Sequence, residues 1–327
     1  MIKLLGQFKS KKDRICKWVF ENENEGIIEL SLISNKNQDI LYVPTHYNCP
    51  LGCRECSLSS VFREESLKPI SYDDLMEAIG KTLLDNDTRI TTNTKILVSF
   101  RGVGEPLLNM PLLKRMIKEK YSLEIFGYNN VGFEISTIMP NENLKALLDP
   151  FVHPVRIIYR LSSPCDTTRE TLEPSTTLSV DGSLSYLKKF NDSVIDNLDE
   201  KKKFKSFFGR KNPTEIRYSI KSGVNDSLFE LANLQYFQNR FNIPIVFLKN
   251  NNGEEEWIAD ILSHYENAKL SIQRASGRDL GVEHGEFDVR YYSKTSNDES
   301  PINPSHQILN CANNVQTKKK VLDNKVV

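Results

Sequence analysis

The spacing of apolar and polar positions changes along the chain. Between residues 17 and 43 two runs, KWVFENE and GIIELSLIS, alternate apolar with polar side chains and are followed by ILYVP. A period of two marks half-buried strands, so the pair reads as a small antiparallel hairpin feeding a first core strand, with Trp18 in its core. Further on, short continuous apolar runs alternate with segments of helical period. Helices are predicted over 72–84, 110–121, 141–148, 183–190, 228–240 and 254–268, the first with Ser71 as N-cap and Asp73 and Asp74 in its first turn. Strands are predicted over 95–100 (KILVSF), 133–137, 155–161, 215–220, 245–248 and 270–273. Continuously apolar strands are buried on both faces, as in parallel sheets covered by crossover helices. The expected fold class is therefore α/β, an open, partial (β/α)6 barrel, with a doubly wound sheet as the alternative that periodicity leaves open. The boundaries fall at 1–38 for an N-terminal hairpin extension, 39–290 for the core barrel and 291–327 for a polar C-terminal tail. Residues 191–212, with the run KKKFKSFFGRK, read as an exposed insertion or loop.

Composition narrows the setting. The chain has 327 residues, 39% hydrophobic and 26% charged, with 43 Lys and Arg against 43 Asp and Glu. No global positive field announces a nucleic-acid partner. No apolar run reaches the length of a membrane span, and the opening MIKLLGQFKSKKDR has too short an apolar stretch for a secretory signal. The expectation is a cytoplasmic protein with no membrane partner and with reduced thiols.

The chemistry concentrates in CPLGCREC, where Cys49, Cys53 and Cys56 are spaced C-x3-C-x2-C and account for three of the six cysteines. Three thiolates in a short loop can hold three irons of a [4Fe-4S] cluster and leave the fourth open to a bidentate ligand. The alternative is zinc, which usually takes four ligands and would need His46, Cys165 or Cys311 to complete its shell. The loop directly follows the first core strand, where an α/β barrel presents its chemistry.

This loop resembles the cluster motif of radical S-adenosylmethionine (SAM) enzymes, and further motifs in order over residues 17–287 resemble the RlmN/Cfr branch, whose members methylate adenine in ribosomal or transfer RNA. The resemblance implies two cofactors, a [4Fe-4S] cluster and SAM, and hydrogen abstraction by a 5′-deoxyadenosyl radical. It also implies a reductant partner such as flavodoxin or ferredoxin and a possible RNA or nucleotide substrate. In FRGVGEPLLN, Gly104 and Glu105 match the turn that meets the SAM amino group; Ser136 in EISTIMP matches a hydroxyl contact; Asn250 after VFLK matches another SAM contact. Arg160 and Ser162 in YRLSSPCD stand where the family has a serine and a histidine. Without the resemblance, Gly104 and Pro106 punctuate a turn, Ser136 caps a helix, Asn225 or Asp226 caps the helix that follows, and Asn250 belongs to an Asn-rich turn.

Several positions depart from the branch. Glu55 occupies a position that is usually aromatic and packs on the adenine. The two cysteines of the family's methyl-transfer chemistry are replaced, the carrier by His284 and its partner by Tyr42. Neither imidazole nor phenol is a reversible thiolate carrier of methyl, so that mechanism is not expected to operate. His284 and Tyr42 are instead candidate catalytic residues, as acid or base and as hydrogen donor. Cys165 reads as a bystander thiol, and Cys311 could substitute for the carrier only if the tail folds back. About sixteen residues precede Lys17, where the family usually carries a helical RNA-handling domain. The expectation is a radical SAM enzyme acting on a nucleotide or nucleic acid. Its alternatives are RNA adenine methylation by a variant route and a non-catalytic metal- or SAM-binding protein.

Overall fold

The computed structural model describes residues 2–11, 14–62, 65–84, 94–119, 123–147, 153–221 and 223–248. Among them nine strands form one sheet in strictly sequential order. The first four, β1 (Ile2–Lys9), β2 (Ile15–Asn22), β3 (Gly26–Ser34) and β4 (Asp39–Val43), pair antiparallel. From β4 onward every pairing is parallel, through β5 (Lys95–Phe100), β6 (Asn130–Thr137), β7 (Val155–Leu161), β8 (Thr214–Ser219) and β9 (Ile245–Leu248). A doubly wound sheet reverses its strand order at a switch point. This one does not, which removes that alternative for the described strands. With right-handed crossovers, a sequential order sets the connecting helices on one face of the sheet.

That face is the hydrophobic core. Ile96, Val98 and Phe100 of β5 and Val131, Phe133 and Ile135 of β6 join one buried cluster with the helices α1 (Tyr72–Leu84), α2 (Met110–Lys118), α4 (Val180–Asp196) and α6 (Leu228–Phe241). A seven-residue α3 (Asp166–Leu172) precedes α4. The residues between, by the period of two, face the other side, and there the strands are polar: Ser99, Glu134, Arg156, Glu215 and Arg217 are all buried. The sheet thus has an apolar helix-covered face and a charged inner face.

Two sequence expectations are corrected. Residues 191–212 are not a loop: α4 runs on to Asp196, and Asn197 caps a further helix, α5 (Leu198–Phe208), by accepting from the amides of Asp199 and Glu200. Phe204 and Phe207, three apart, are buried on one side of α5. The Phe207 ring lies against Gly132 so closely that a Cβ there would sit 2.4 Å from it. The lysines dominate the composition, but the phenylalanines decide the structure. Residues 142–147 form a 3₁₀ turn, with Leu144 and Leu147 buried at the three-residue period of that helix. Strand β1 was not expected. It is an edge strand with only Ile2 buried, so its sequence carries no core alternation. The predicted helix 254–268, strand 270–273 and tail lie outside the described residues.

Candidate functional site

The cysteine loop leaves the carboxyl end of β4 and is tied down at both ends. Asn48, buried, accepts from the amide of Lys68 at 2.7 Å and donates to the carbonyl of Ser66 at 2.7 Å. The amide of Cys56 donates to the carbonyl of Cys53 at 3.0 Å, and the same carbonyl accepts from the Ser59 hydroxyl at 2.5 Å. The segment after α3 backs the loop: the carbonyl of Leu172 accepts from Arg54, and Ser175 donates to the carbonyl of Leu51 at 2.8 Å. Cys49, Cys53 and Cys56 are free thiols, half-buried. Burial pushes the Cys49 thiol up to about 11 and raises Cys53 and Cys56 as well. Such thiols ionise only when a cation compensates them.

The turn after β5 crosses the root of this loop. Gly104 has φ +91°, and a Cβ on it would lie 2.3 Å from Nδ1 of His46, so both the backbone and the space require glycine. Glu105 is buried, and its carboxylate accepts from the amides of Leu107 and Ile138, at 3.1 Å each, and from the Thr137 hydroxyl at 2.5 Å. Burial raises Glu105 to about 7 against those bonds. Asn109 donates to the carbonyls of Thr45 and Ile70, locking the turn to the cysteine loop.

One pocket at the carboxyl ends of the parallel strands brings Cys49, Cys53 and Cys56 together with Gly104, Glu105, Ser136, Arg160 and Ser162. The pocket is partly open to solvent at its mouth. Sequence reading did not single out four further lining residues, Arg101, Glu173, Arg217 and Ser219. Glu173 is raised by burial to about 7, against the pull of Arg169 and Arg160. Arg101 donates to Glu134 at 2.5 Å and to Ser99 at 2.9 Å; Arg156 also bonds Glu134; Arg217 donates to Glu215 at 3.0 Å. For Arg217 the available signal was charge inside a strand, as at Glu134, Arg156 and Glu215, because such residues are rarely buried without a purpose; Arg101 and Glu173 lie outside strands and gave none. At the rim, Glu55 pairs with Lys221 from the loop after β8, so the position that is usually aromatic in the branch is a charged strap here.

The remaining candidates fall elsewhere. Tyr42 faces the same side of the sheet, but its ring packs beneath the Arg101 guanidinium, 4.3 Å away, and does not line the pocket. Cys165 precedes α3, its sulfur 3.5 Å from the Asn233 amide, and does not line the pocket either. Asn225 is not a helix cap: it donates to the carbonyls of Ser162 and Ser219 and so staples the ends of β7 and β8, while Ser227 caps α6. Asn250, His284 and Cys311 lie outside the described residues.

A three-cysteine loop at the first of six sequential parallel strands faces a glycine–glutamate turn across one pocket of an α/β fold, an arrangement similar to that of radical SAM proteins. The chain is related to the RlmN/Cfr-like branch of those proteins. It is 27% identical over 231 residues to a probable dual-specificity RNA methyltransferase RlmN of Chlorobium phaeobacteroides, covering 69% of this chain and 57% of that one. A protein of the same description from Clostridium botulinum is 24% identical over 307 residues, covering 89% and 81%. One from Dictyoglomus turgidum is 29% identical over 146 residues, covering 42% and 40%. The chain spans about half the length of several of these curated relatives. No protein-family profile matches it. Among solved structures, a radical SAM methyltransferase from Sphaerobacter thermophilus shares the fold, with a TM-score of 0.67 at 17% identity over 87% of this chain and 80% of that one.

Proposed function

We propose that this protein is a radical SAM enzyme on a partial (β/α)6 barrel, cytoplasmic and dependent on a protein reductant, acting on a nucleotide or nucleic acid. The observation that carries the reading is the single pocket shared by Cys49, Cys53 and Cys56 with Gly104, Glu105, Ser136, Arg160 and Ser162. The donor set suits the cofactors. Three half-buried thiols on one short loop line the pocket, soft ligands one short of the four that closed zinc takes. That favours a cluster, whose corners each take one sulfur, over closed zinc. When bound, the [4Fe-4S] cluster and SAM supply one-electron cleavage and hydrogen abstraction.

The chain's own residues do the holding and shielding. Glu105 offers carboxylate oxygens toward an ammonium group, and its bonds to Leu107, Thr137 and Ile138 fix their direction. Gly104 brings backbone close to the ligand, and Ser136 and Ser162 add hydroxyls. Arg160 places a guanidinium beside Cys53 and Cys56, which favours their thiolates. The Glu55–Lys221 strap narrows the mouth. Tyr42, stacked under Arg101, occupies a methyl-transfer position without a thiol, so hydrogen abstraction is assigned without the two-cysteine route. Asn250 and His284 are assigned to the site by resemblance alone.

The test is anaerobic reconstitution with iron and sulfide, then SAM and dithionite. 5′-Deoxyadenosine and methionine should form, and Cys53→Ala should abolish both; stoichiometric zinc with no iron uptake would overturn the reading. The relatives' description as RNA methyltransferases favours a second reading, RNA adenine methylation by a variant route. Nucleoside mass analysis of total RNA from cells with and without the protein decides it, an unchanged profile rejecting the RNA substrate.

A further inference from the structure

We infer that Arg160 and Arg217 form a phosphate clamp inside the pocket, taking the phosphate of a small nucleotide that enters whole. The inference rests on the nucleotide reading above and names the part of the substrate that the strands hold.

Arg160 on β7 and Arg217 on β8 are direct register partners, and both line the pocket. Adjacent strands lie about 4.8 Å apart, so the two guanidinium groups start from neighbouring backbones on one face. Like charges placed opposite each other repel and need a reason. Arg217 spends its Nε on Glu215 at 3.0 Å. Among the described residues, neither its terminal nitrogens nor any guanidinium nitrogen of Arg160 has a hydrogen-bonded partner. The surroundings do not neutralise the pair. Four arginines, Arg101, Arg156, Arg160 and Arg217, face two committed carboxylates, Glu134, bonded by Arg101 and Arg156, and Glu215, bonded by Arg210 and Arg217. Glu105 is the carboxylate assigned above to the ammonium group, and Glu173 pairs with Arg169. Buried positive charge in excess is costly until an anion meets it. Burial, and then repulsion from Arg101, pulls both guanidinium groups below the usual arginine value, in keeping with that excess.

Position separates this anion from the SAM carboxylate. Arg160 lies on β7 and Arg217 on β8, one strand further along the sheet from β4, whose carboxyl end carries the cysteine loop. An anion bridging the pair lies off the cysteine loop, toward β8 and β9, where Ser219 and Leu248 complete the wall. Two planar forks side by side match the oxygens of a phosphate. A base flipped out of RNA leaves its phosphates at the rim, whereas a phosphate on these strands requires the whole nucleotide inside.

The experiment is anaerobic equilibrium dialysis of the reconstituted full chain against the four ribonucleoside 5′-monophosphates, their nucleosides and SAM. At least one monophosphate should bind about tenfold or more tighter than its nucleoside, as charge-assisted bonds of this kind allow, with inorganic phosphate competing. Arg217→Gln should abolish that preference and leave SAM affinity within about twofold, and Arg217→Lys should restore part of it. Melting curves check that the variants fold, and the wild-type ratio stands whether or not they do. Wild-type protein that binds SAM but prefers no monophosphate would overturn the clamp. So would Arg217→Gln weakening SAM as much as nucleotide, which would give the pair to the SAM carboxylate. Protein that keeps the phosphate preference but binds no SAM would retain the clamp and reject the proposed enzyme.

Discussion

His46 shows how one residue next to the cysteine loop sets a property of the whole. It is fully buried, and Nδ1 lies 2.9 Å from the Thr45 hydroxyl, while Nε2 has no hydrogen-bond partner among the described residues. Burial lowers its pKa from 6.5 to about 4. Between those values the unfolded chain takes up a proton that the folded chain refuses, so stability falls as pH falls from 6.5 to 4. The full window is worth about 3 kcal/mol. Denaturant unfolding across this range should show the slope, and His46→Gln should flatten it. The same ring forbids a side chain at position 104. Gly104→Ala should cost about 1–3 kcal/mol from the positive φ alone, plus the clash with Nδ1. In a double-mutant cycle, His46→Ala should recover only the part of the clash made by the ring, since its own Cβ would stay 2.6 Å away, and none of the backbone cost; additivity would show that the two residues do not touch.

Strands and helices were read from the sequence where burial is uniform and missed where it is not. Strands β5, β6, β7 and β9 show as apolar runs, and α1 is placed residue for residue, because their apolar faces dominate their composition. Helix α5 was hidden because its lysines outnumber the two phenylalanines that anchor it. The motif residues of the pocket could be found from local order alone. Their convergence with Arg101, Glu173 and Arg217 could not, since only the register of separate strands and the return of the chain after α3 bring these to the cysteines. The charge layer on the inner strands carries its own prediction. Burial alone would raise Glu134, but Arg156, Arg101 and Arg217 hold it well below the usual carboxylate range. Its contribution is present above the unfolded value near 4.3 and is lost as pH falls below it. Glu134→Gln leaves two buried guanidinium groups uncompensated and should destabilise by about 3–5 kcal/mol at neutral pH. Glu77→Gln, at the exposed pair with Lys81, should stay within about 1 kcal/mol. Equal effects in urea melts would show that the inner layer is not the ion network described.

At the scale of the molecule, the sequential sheet makes the antiparallel front end part of the same body as the parallel strands. Strand β3 pairs with β4 from Ser31–Tyr42 to Ser34–Asp39, so it covers the edge from which the cysteine loop departs. Trp18, Phe20, Ile28 and Leu30 belong to the same buried cluster as Leu75 and Ile79 of α1 and Val98 of β5. A chain cut before residue 39 would lose these side chains from the core and expose an unpaired parallel edge. Removing a buried aromatic costs about 3–5 kcal/mol, and two of them approach the whole stability of an ordinary domain. The truncated protein should therefore be insoluble or unfold without a cooperative transition, and proteolysis should cut it throughout. A soluble product with a sharp melt and an intact cysteine loop would show instead that residues 1–38 are a separable extension and that the parallel strands close their own core.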